Sequence, residues 1–419
     1  MHRYQVENMV QLTLADISKY LTVAVLDKAF KLRTNSQDVI RFFQITRAAP
    51  AGEGLIGAVY RIRVSGEQHT ASFIAKGFAG DVLLKKSLDC TKYFERETRF
   101  FSKILPVLVE LQASLGAKHT IQNNIPICYG CHNDGENDYL LLEDLAESDC
   151  KSISENPTEF ERDITLGSLA HLHAVSFALR IKKPDVFARF ASSIPELYYT
   201  AENRQWYQRF LQNAVKLDLD VLRQYEDDSS IYLQKFKKLV DDDIYEKVIE
   251  ICSTPGCFPV LSHGDAWCPN FLCSKDRAVM IDFQLFRCAS PATDVTLFLI
   301  LCSNVCRDKE DFFKAIDVYY NSVTYYLKDM GINPATVITR QDLNEELRKF
   351  GKFGLFGSIT SIPLLASKRC DVLESFEEKF ADLERIPLEE LWVLTQIDDE
   401  DHKMRLVNAV RVSVDTGLI

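Results

Sequence analysis

The sequence carries no surplus of positive charge. Its 419 residues include 49 Lys and Arg against 60 Asp and Glu, a formal net charge of −11. General nucleic-acid binding needs a basic face that neutralises phosphates. The balance argues against that activity and leaves room only for a local basic pocket around a nucleotide. Long apolar runs are scarce too: the stretch around Leu297–Cys302 is far too short to span a bilayer. The opening segment, MHRYQVENMVQLTLADISKY, lacks the basic start and apolar run of a secretory leader. The closing Thr416-Gly417-Leu418-Ile419 carries no lipidation box, and no repeat or low-complexity tract stands out. These absences set the expectation of a cytoplasmic protein with neither membrane nor nucleic acid as partner.

Cysteine, by contrast, is plentiful, with twelve residues. Without secretion they read as buried or free thiols in a reducing compartment. Cys128-Tyr129-Gly130-Cys131-His132 spells the haem-attachment pattern, but it falls in an expected strand of a chain with no export signal. Cys252, Cys257, Cys268 and Cys273 form two C-x4-C pairs, wider than the knuckles of structural zinc sites. Neither pattern is given weight.

Hydrophobic periodicity divides the chain near residue 145. Residues 1–36 read as a helical lead-in. Tyr60, Ile62 and Val64 alternate with Val59, Arg61 and Arg63, the period of a strand, and Ala71–Lys76 returns as another. Phe94, Phe101, Ile104, Leu105, Leu108 and Leu111 then form a helical stripe. Short strands are expected at Ile125–Tyr129 and Tyr139–Leu142. Beyond Asp144 the pattern is mainly helical, over roughly 160–180, 203–226, 231–252, 309–329, 341–356 and 374–386. An island of short strands interrupts it at Pro259–Ser262, Phe271–Cys273 and Val279–Phe283. The expected class is α+β, with a small antiparallel-sheet lobe containing one helix (1–145), a larger helical lobe (146–419), and a ligand cleft between them.

Several motifs place chemistry on this frame. Gly52-Glu53-Gly54-Leu55-Ile56-Gly57-Ala58-Val59 fits G-x-G-x-x-G-x-V between two strands. Gly52, Gly54 and Gly57 would let backbone amides approach phosphate oxygens without a Cβ in the way; the bland alternative is a turn-rich hairpin. Lys76 ends the apolar strand Phe73-Ile74-Ala75-Lys76, as in V-A-I-K. It is expected to hold the α- and β-phosphates, against the commoner case of a strand-end lysine reaching water. Glu97 lies on the apolar stripe, where a carboxylate needs a partner, and Lys76 is the obvious one. Glu95, or a solvated Glu97, is the alternative. Glu143-Asp144-Leu145 ends an apolar strand at the lobe boundary, where backbone groups could meet adenine. A plain buried strand followed by a loop is equally consistent.

The most informative block is His263-Gly264-Asp265-Ala266-Trp267-Cys268-Pro269-Asn270, followed after an apolar strand by Asp282-Phe283-Gln284. Phosphoryl transfer needs an acceptor for the substrate hydroxyl proton, and Asp265 fits. It needs oxygen ligands for a magnesium ion on the phosphates, and Asn270 and Asp282 fit. His263 is expected to brace the loop. Ser290-Pro291-Ala292-Thr293-Asp294 precedes a helix that Asp294 or Thr293 is expected to cap, with a further role in bracing the catalytic loop.

Together these residues resemble the ecdysteroid-kinase-like family of choline-kinase-like proteins. That family shows H-G-D-x-W-x-N-N and D-F-Q. It also shows F-x-x-E before an I-L-P (Phe94–Pro106 here), E-D-L (Glu143–Leu145) and L-H-A (Leu172–Ala174), over roughly residues 40–365. Pro269 departs from it, standing where the family often has asparagine. The resemblance implies a protein-kinase-like fold and transfer of the ATP γ-phosphate, with Mg²⁺, to a small-molecule alcohol such as an ecdysteroid or another steroid or xenobiotic alcohol. Asp265 would be the base, Asn270 and Asp282 the metal ligands, and Lys76 with Glu97 the phosphate clamp. Competing readings are a kinase fold that binds a ligand without turnover, a choline or ethanolamine kinase, and a protein kinase. The last is disfavoured by the lack of H-R-D, D-F-G and A-P-E. Trp206, Tyr207, Tyr319, Tyr320, Phe353 and Phe356 could line an acceptor pocket, but large aromatics more often form core.

Overall fold

Strand-period residues pair into a five-stranded antiparallel sheet. The computed structural model describes residues 12–48, 58–77, 90–302, 304, 306–367 and 385–419. In it β1 (Phe42–Arg47), β2 (Ala58–Ser65), β3 (Thr70–Gly77), β4 (Cys128–His132) and β5 (Tyr139–Glu143) lie in the order β1-β2-β3-β5-β4. Tyr60, Ile62 and Val64 of β2 point inward with Ala71, Phe73 and Ala75 of β3, as the alternation predicts. The helix Val23–Thr34 adds Leu26, Ala29 and Phe30 to the same core. Thr22 caps its start by accepting from Val25 N, and Asn35, with φ +47°, ends it in the left-handed conformation that asparagine tolerates. β4 begins three residues later than expected and carries a bulge between Cys128 and Gly130. The glycine triplet Gly52, Gly54 and Gly57 lies outside the described residues.

The chain divides into two compact units, Met1–Lys85 with Pro126–Ser148, and Lys86–Ile125 with Asp149–Ile419. The expected helix after residue 90 therefore groups with the larger, mainly helical unit. It runs as Cys90–Arg99 and Leu105–Ser114 joined by a π-helical turn, Phe100–Ile104. The segment expected as one helix over 231–252 is two, Ile231–Asp241 and Ile244–Ser253, because Asp243 caps a new start by accepting from Glu246 N. The segment over 341–356 likewise divides at Gly351 into Arg340–Phe350 and Lys352–Ala366. There a Cβ would meet the Leu347 carbonyl at 2.4 Å. Most of the helix expected at 374–386 lies outside the described residues.

Glu159–Lys182 is long and apolar enough to cross a bilayer, yet 78% of its most apolar window is buried in protein, which marks a core helix. Against it lie the small sheets that carry the site: β7 (Val260–Ser262) with β10 (Arg287–Ala289), and β6 (Lys151–Ser152) with β8 (Phe271–Cys273) and β9 (Ala278–Met280). The helices Pro184–Ser193 and Glu400–Asp415 and the strand β10 were not expected from the sequence.

Candidate active site

β7 and β10 pair antiparallel with Ser262 opposite Arg287, so the polypeptide between them is held at both ends. Within it, Gly264 adopts φ +84°, and a Cβ there would lie 1.9 Å from the Leu285 carbonyl oxygen. Only glycine lets the loop turn this close to the neighbouring backbone. His263 Nε2 lies 2.9 Å from the Ile281 carbonyl, and Asp265 N donates to His263 Nδ1 at 3.3 Å. Those partners require the neutral Nε2–H tautomer, and burial lowers the His263 pKa in keeping with it. His263 is thus a brace, as the sequence suggested.

Asp294 supplies the second brace. Its Oδ2 accepts from His263 N at 2.7 Å and its Oδ1 from Gly264 N at 2.9 Å. His173 Nε2 lies 3.1 Å from Oδ2, while His173 Nδ1 meets Tyr319 Oη at 2.8 Å. The cluster is wholly buried. Burial would raise the Asp294 pKa, but the hydrogen bond and charge of His173, with His263 and Arg287, outweigh it and hold the carboxyl below its usual value. The expectation that Asp294 or Thr293 caps the following helix is corrected. Ser290 is the cap, accepting from Ala292 N, because Asp294 already spends both oxygens on the loop.

Asp265, Asn270 and Asp282 come together on this frame. Asn270 Nδ2 donates to Asp265 O at 2.9 Å and to Asp265 Oδ2 at 2.8 Å. The planar amide then directs its oxygen away from Asp265. Burial, reinforced by the charge of Asp282, pushes the Asp265 carboxyl up to about 7, against the opposing effects of Asn270 and Arg287. Asp265 still keeps some accessible surface. Asp282 stands at φ +66°, ψ +70°, a left-handed conformation that costs a non-glycine residue about 1–3 kcal/mol and concentrates at functional sites. Pro269 fits without loss. It lies in the 3₁₀ turn Cys268–Asn270, where Asn270 N donates to Trp267 O, and the first turn of a helix needs no N–H from proline. Phe283 stacks on Phe100 at 3.7 Å, seating the Asp282 segment on the π-helical turn.

A magnesium ion on a triphosphate takes one or two carboxylates and completes its shell with phosphate and water oxygens. One outward amide oxygen and one carboxylate, Asn270 and Asp282, suit that donor set. Among the described residues there is no group of three or more His, Cys, Asp or Glu that could hold a metal by itself.

The other expected residues are placed as follows. Glu97 is fully buried on Cys90–Arg99, so it is not the solvated rim residue of the alternative reading. Lys76 lies on β3, opposite Val59 and Leu140. Asp144 is buried and accepts from Arg61 Nε and Ser72 Oγ, each at 2.6 Å. Glu143 Oε2 accepts from Ile127 N, and Leu145 is buried at the start of a 3₁₀ turn. The Glu143 and Asp144 side chains thus hold their own unit together. Trp206, Tyr207, Tyr319, Phe353 and Phe356 are buried.

Sequence reasoning passed over Arg96, Glu196 and Arg287. Arg96 donates to Phe286 O and Pro195 O, each at 2.6 Å. Arg287 donates to Gly264 O at 3.2 Å and lies 3.4 Å from Glu196 Oε2. The only advance signal was Arg96 beside Glu97 on an otherwise apolar helix face.

Residues 51–332, more than half of the chain, match the ecdysteroid kinase-like family. The chain belongs to that family. No curated protein sequence matches it. Solved structures similar to it include a Plasmodium vivax ethanolamine kinase at 13% identity, covering 90% of this chain and 83% of that one, TM-score 0.41. A choline kinase from Cryptosporidium parvum Iowa II is also 13% identical, covering 90% and 92%, TM-score 0.40. An amicoumacin kinase solved with AMP-PNP and Ca²⁺ is 14% identical, covering 86% and 94%, TM-score 0.40. At these levels it is the family match that carries the assignment.

Proposed function

We propose that this ecdysteroid kinase-like protein transfers the γ-phosphoryl group of ATP to a hydroxyl of a small molecule. The observation that carries the reading is the Asp265–Asn270 pair, hydrogen-bonded within a loop whose backbone is clamped by Asp294. Asp265 takes the proton of the acceptor hydroxyl, and the clamp holds its carboxylate where that proton is delivered. Asn270 Nδ2 orients Asp265 while its Oδ1, with Asp282, would hold Mg²⁺. Lys76 is assigned to the α- and β-phosphates, and Glu97 to its partner role by family resemblance. Bound ATP with Mg²⁺ supplies the phosphoryl group and neutralises charge on it. An ecdysteroid, or another steroid or xenobiotic alcohol, is the proposed acceptor.

The test is magnesium-dependent ATP consumption over a panel of ecdysteroids, choline, ethanolamine and aminoglycosides, with Asp265→Ala in parallel. Turnover on one class that falls by about 10³-fold or more in the variant supports the proposal. Turnover that survives Asp265→Ala refutes the assigned base. Ligand binding with no product across the panel favours a silent binder instead.

A further inference from the structure

The helix Pro291–Leu301 is buried along its whole length and meets the catalytic loop at both of its ends. In its first turn Asp294 accepts the His263 and Gly264 amides. Just past its last turn stands Cys302, whose Sγ lies 3.2 Å from the Sγ of Cys268, near the far end of the same loop. Asp294 and Cys302 are about 12 Å apart at about 1.5 Å per helical residue. The loop is therefore tied to one rigid element at two separate points. The first tie is a set of hydrogen bonds; the second is a pair of free thiols. The C-x4-C spacing gave no sign of it, because Cys302 stands 34 residues beyond Cys268.

At 3.2 Å the two sulfurs sit closer than the roughly 3.5–4.0 Å at which non-bonded carbon atoms settle, although sulfur is the larger atom. The side chains face each other, and a small rotation brings them to bonding distance. Their access to solvent differs. Cys268 is 4% exposed and Cys302 not at all. Cys268 stands between Trp267, which is partly exposed, and Pro269, which is exposed. Burial pushes the Cys302 thiol well up, which keeps it from reacting first. A small oxidant meets Cys268, and the contact supplies Cys302 as the resolving thiol.

A bond here would act on the site directly. Cys268 opens the 3₁₀ turn that ends on Asn270. Asn270 Nδ2 holds both the carbonyl and the carboxylate of Asp265. Drawing Cys268 onto the helix shifts that turn, and a misplacement of about 1 Å at reacting groups costs about 10²-fold in rate.

We propose that Cys268 and Cys302 are a redox-modification site, in which a hydroperoxide joins them in a disulfide that locks the catalytic loop to the helix Pro291–Leu301 and stops turnover. The Cys268 sulfur takes one peroxide oxygen as the O–O bond breaks, giving a sulfenic acid and, from hydrogen peroxide, one water. The Cys302 sulfur then displaces the sulfenic hydroxyl as the S–S bond forms, and its proton leaves with that hydroxyl as a second water. The peroxide gains the two electrons that the two thiols lose. An added dithiol reverses the bond by exchange. The pairing is independent of the kinase reading, and its effect on rate rests on that reading.

The test treats the reduced wild-type protein and Cys302→Ala with hydrogen peroxide, followed by alkylation, digestion and mass spectrometry. Rates are measured on the acceptor found in the panel above, and amide hydrogen exchange over residues 263–270. Exposed Cys257 reports that the oxidant has acted. Wild type should yield a Cys268–Cys302 linked peptide, slower exchange in the loop, and a kcat lowered at least about ten-fold with little change in the KM for ATP, all reversed by dithiothreitol. Cys302→Ala should show the wild-type kcat before treatment, and after it no linked peptide and no slowing of exchange. Cys302→Ser takes its place if the alanine variant does not fold. No linked peptide at a dose that oxidises Cys257, linkage of Cys302 to Cys306 instead, or linkage that leaves both kcat and exchange unchanged each overturns the proposal. Linkage that slows loop exchange in a protein with no turnover on any acceptor, even when reduced, would leave the lock standing and refute the kinase reading instead.

Discussion

Replacing Asp294 by asparagine should uncouple the catalytic loop from the core. The carboxylate receives three donors, His263 N and His173 Nε2 on Oδ2 and Gly264 N on Oδ1. An amide has one acceptor oxygen. If its nitrogen replaces Oδ1, the Gly264 N–H faces an N–H; if it replaces Oδ2, the His263 N–H does. Either orientation leaves a buried backbone donor unsatisfied and converts the remaining bonds from charge-assisted to neutral. An unsatisfied buried donor costs about 1–3 kcal/mol, and the lost charge assistance adds about 1 more, so a destabilisation of about 3 kcal/mol is expected. It should appear as a lower denaturation midpoint at unchanged slope. Because Asp265 follows the two clamped amides directly, kcat should fall about ten- to a hundred-fold while the KM for ATP changes little. An Asp294→Asn variant with wild-type stability and wild-type kcat would refute the reasoning, since no rearrangement of a single amide satisfies both backbone donors.

Gly264→Ala should abolish the folded site outright, because the positive φ and the Leu285 carbonyl 1.9 Å from the new Cβ cannot both be relieved locally; a soluble, active alanine variant would contradict the loop geometry. Stability should also fall with acid through His171. Burial depresses its pKa to about 3, with His119 adding to the effect. The unfolded chain therefore binds a proton near pH 6.5 that the folded protein refuses, so the stabilisation is complete above about pH 6.5 and about 2 kcal/mol is lost by pH 5. Gln112 Nε2 and Asn124 Oδ1, each 2.8 Å from one ring nitrogen, fix the neutral form. His171→Gln should flatten the pH dependence of the denaturation midpoint between pH 6.5 and 4.5, and an unchanged slope would show that another group governs it.

Local features were the legible ones. The alternation in Tyr60–Val64 and the stripe from Phe94 to Leu111 report which face of one element is buried, and both elements formed where that pattern lies. The chemistry of the loop was legible for the same reason. Asp265 and Asn270 are five residues apart and bond each other directly, so spacing alone brought them together. Helix ends were less legible where a single side chain decides them. Asp243 restarts a helix inside an apolar pattern that reads continuously through it.

What escaped is what long-range geometry creates. His173 and Asp294 are 121 residues apart, and Arg96 and Phe286 are 190 apart; nothing in either neighbourhood announces the other. Asp294 shows both sides: its bracing of the catalytic loop is legible in the sequence and borne out, while its absence from the helix cap is not legible. At the start of a helix, after Ser-Pro, an aspartate reads as a cap, and local chemistry supports that reading. A better-placed serine takes the cap, and the freed carboxylate turns to the two amides before Asp265. Likewise Glu196 accepts the amides of Leu197, Tyr198 and Tyr199 on one oxygen and faces Arg287, from a strand 91 residues away, with the other. Motif residues can be found by spacing because they touch the reactants together. The groups that orient them can come from anywhere in the fold, and they surface only when a buried charge is asked where its partners are.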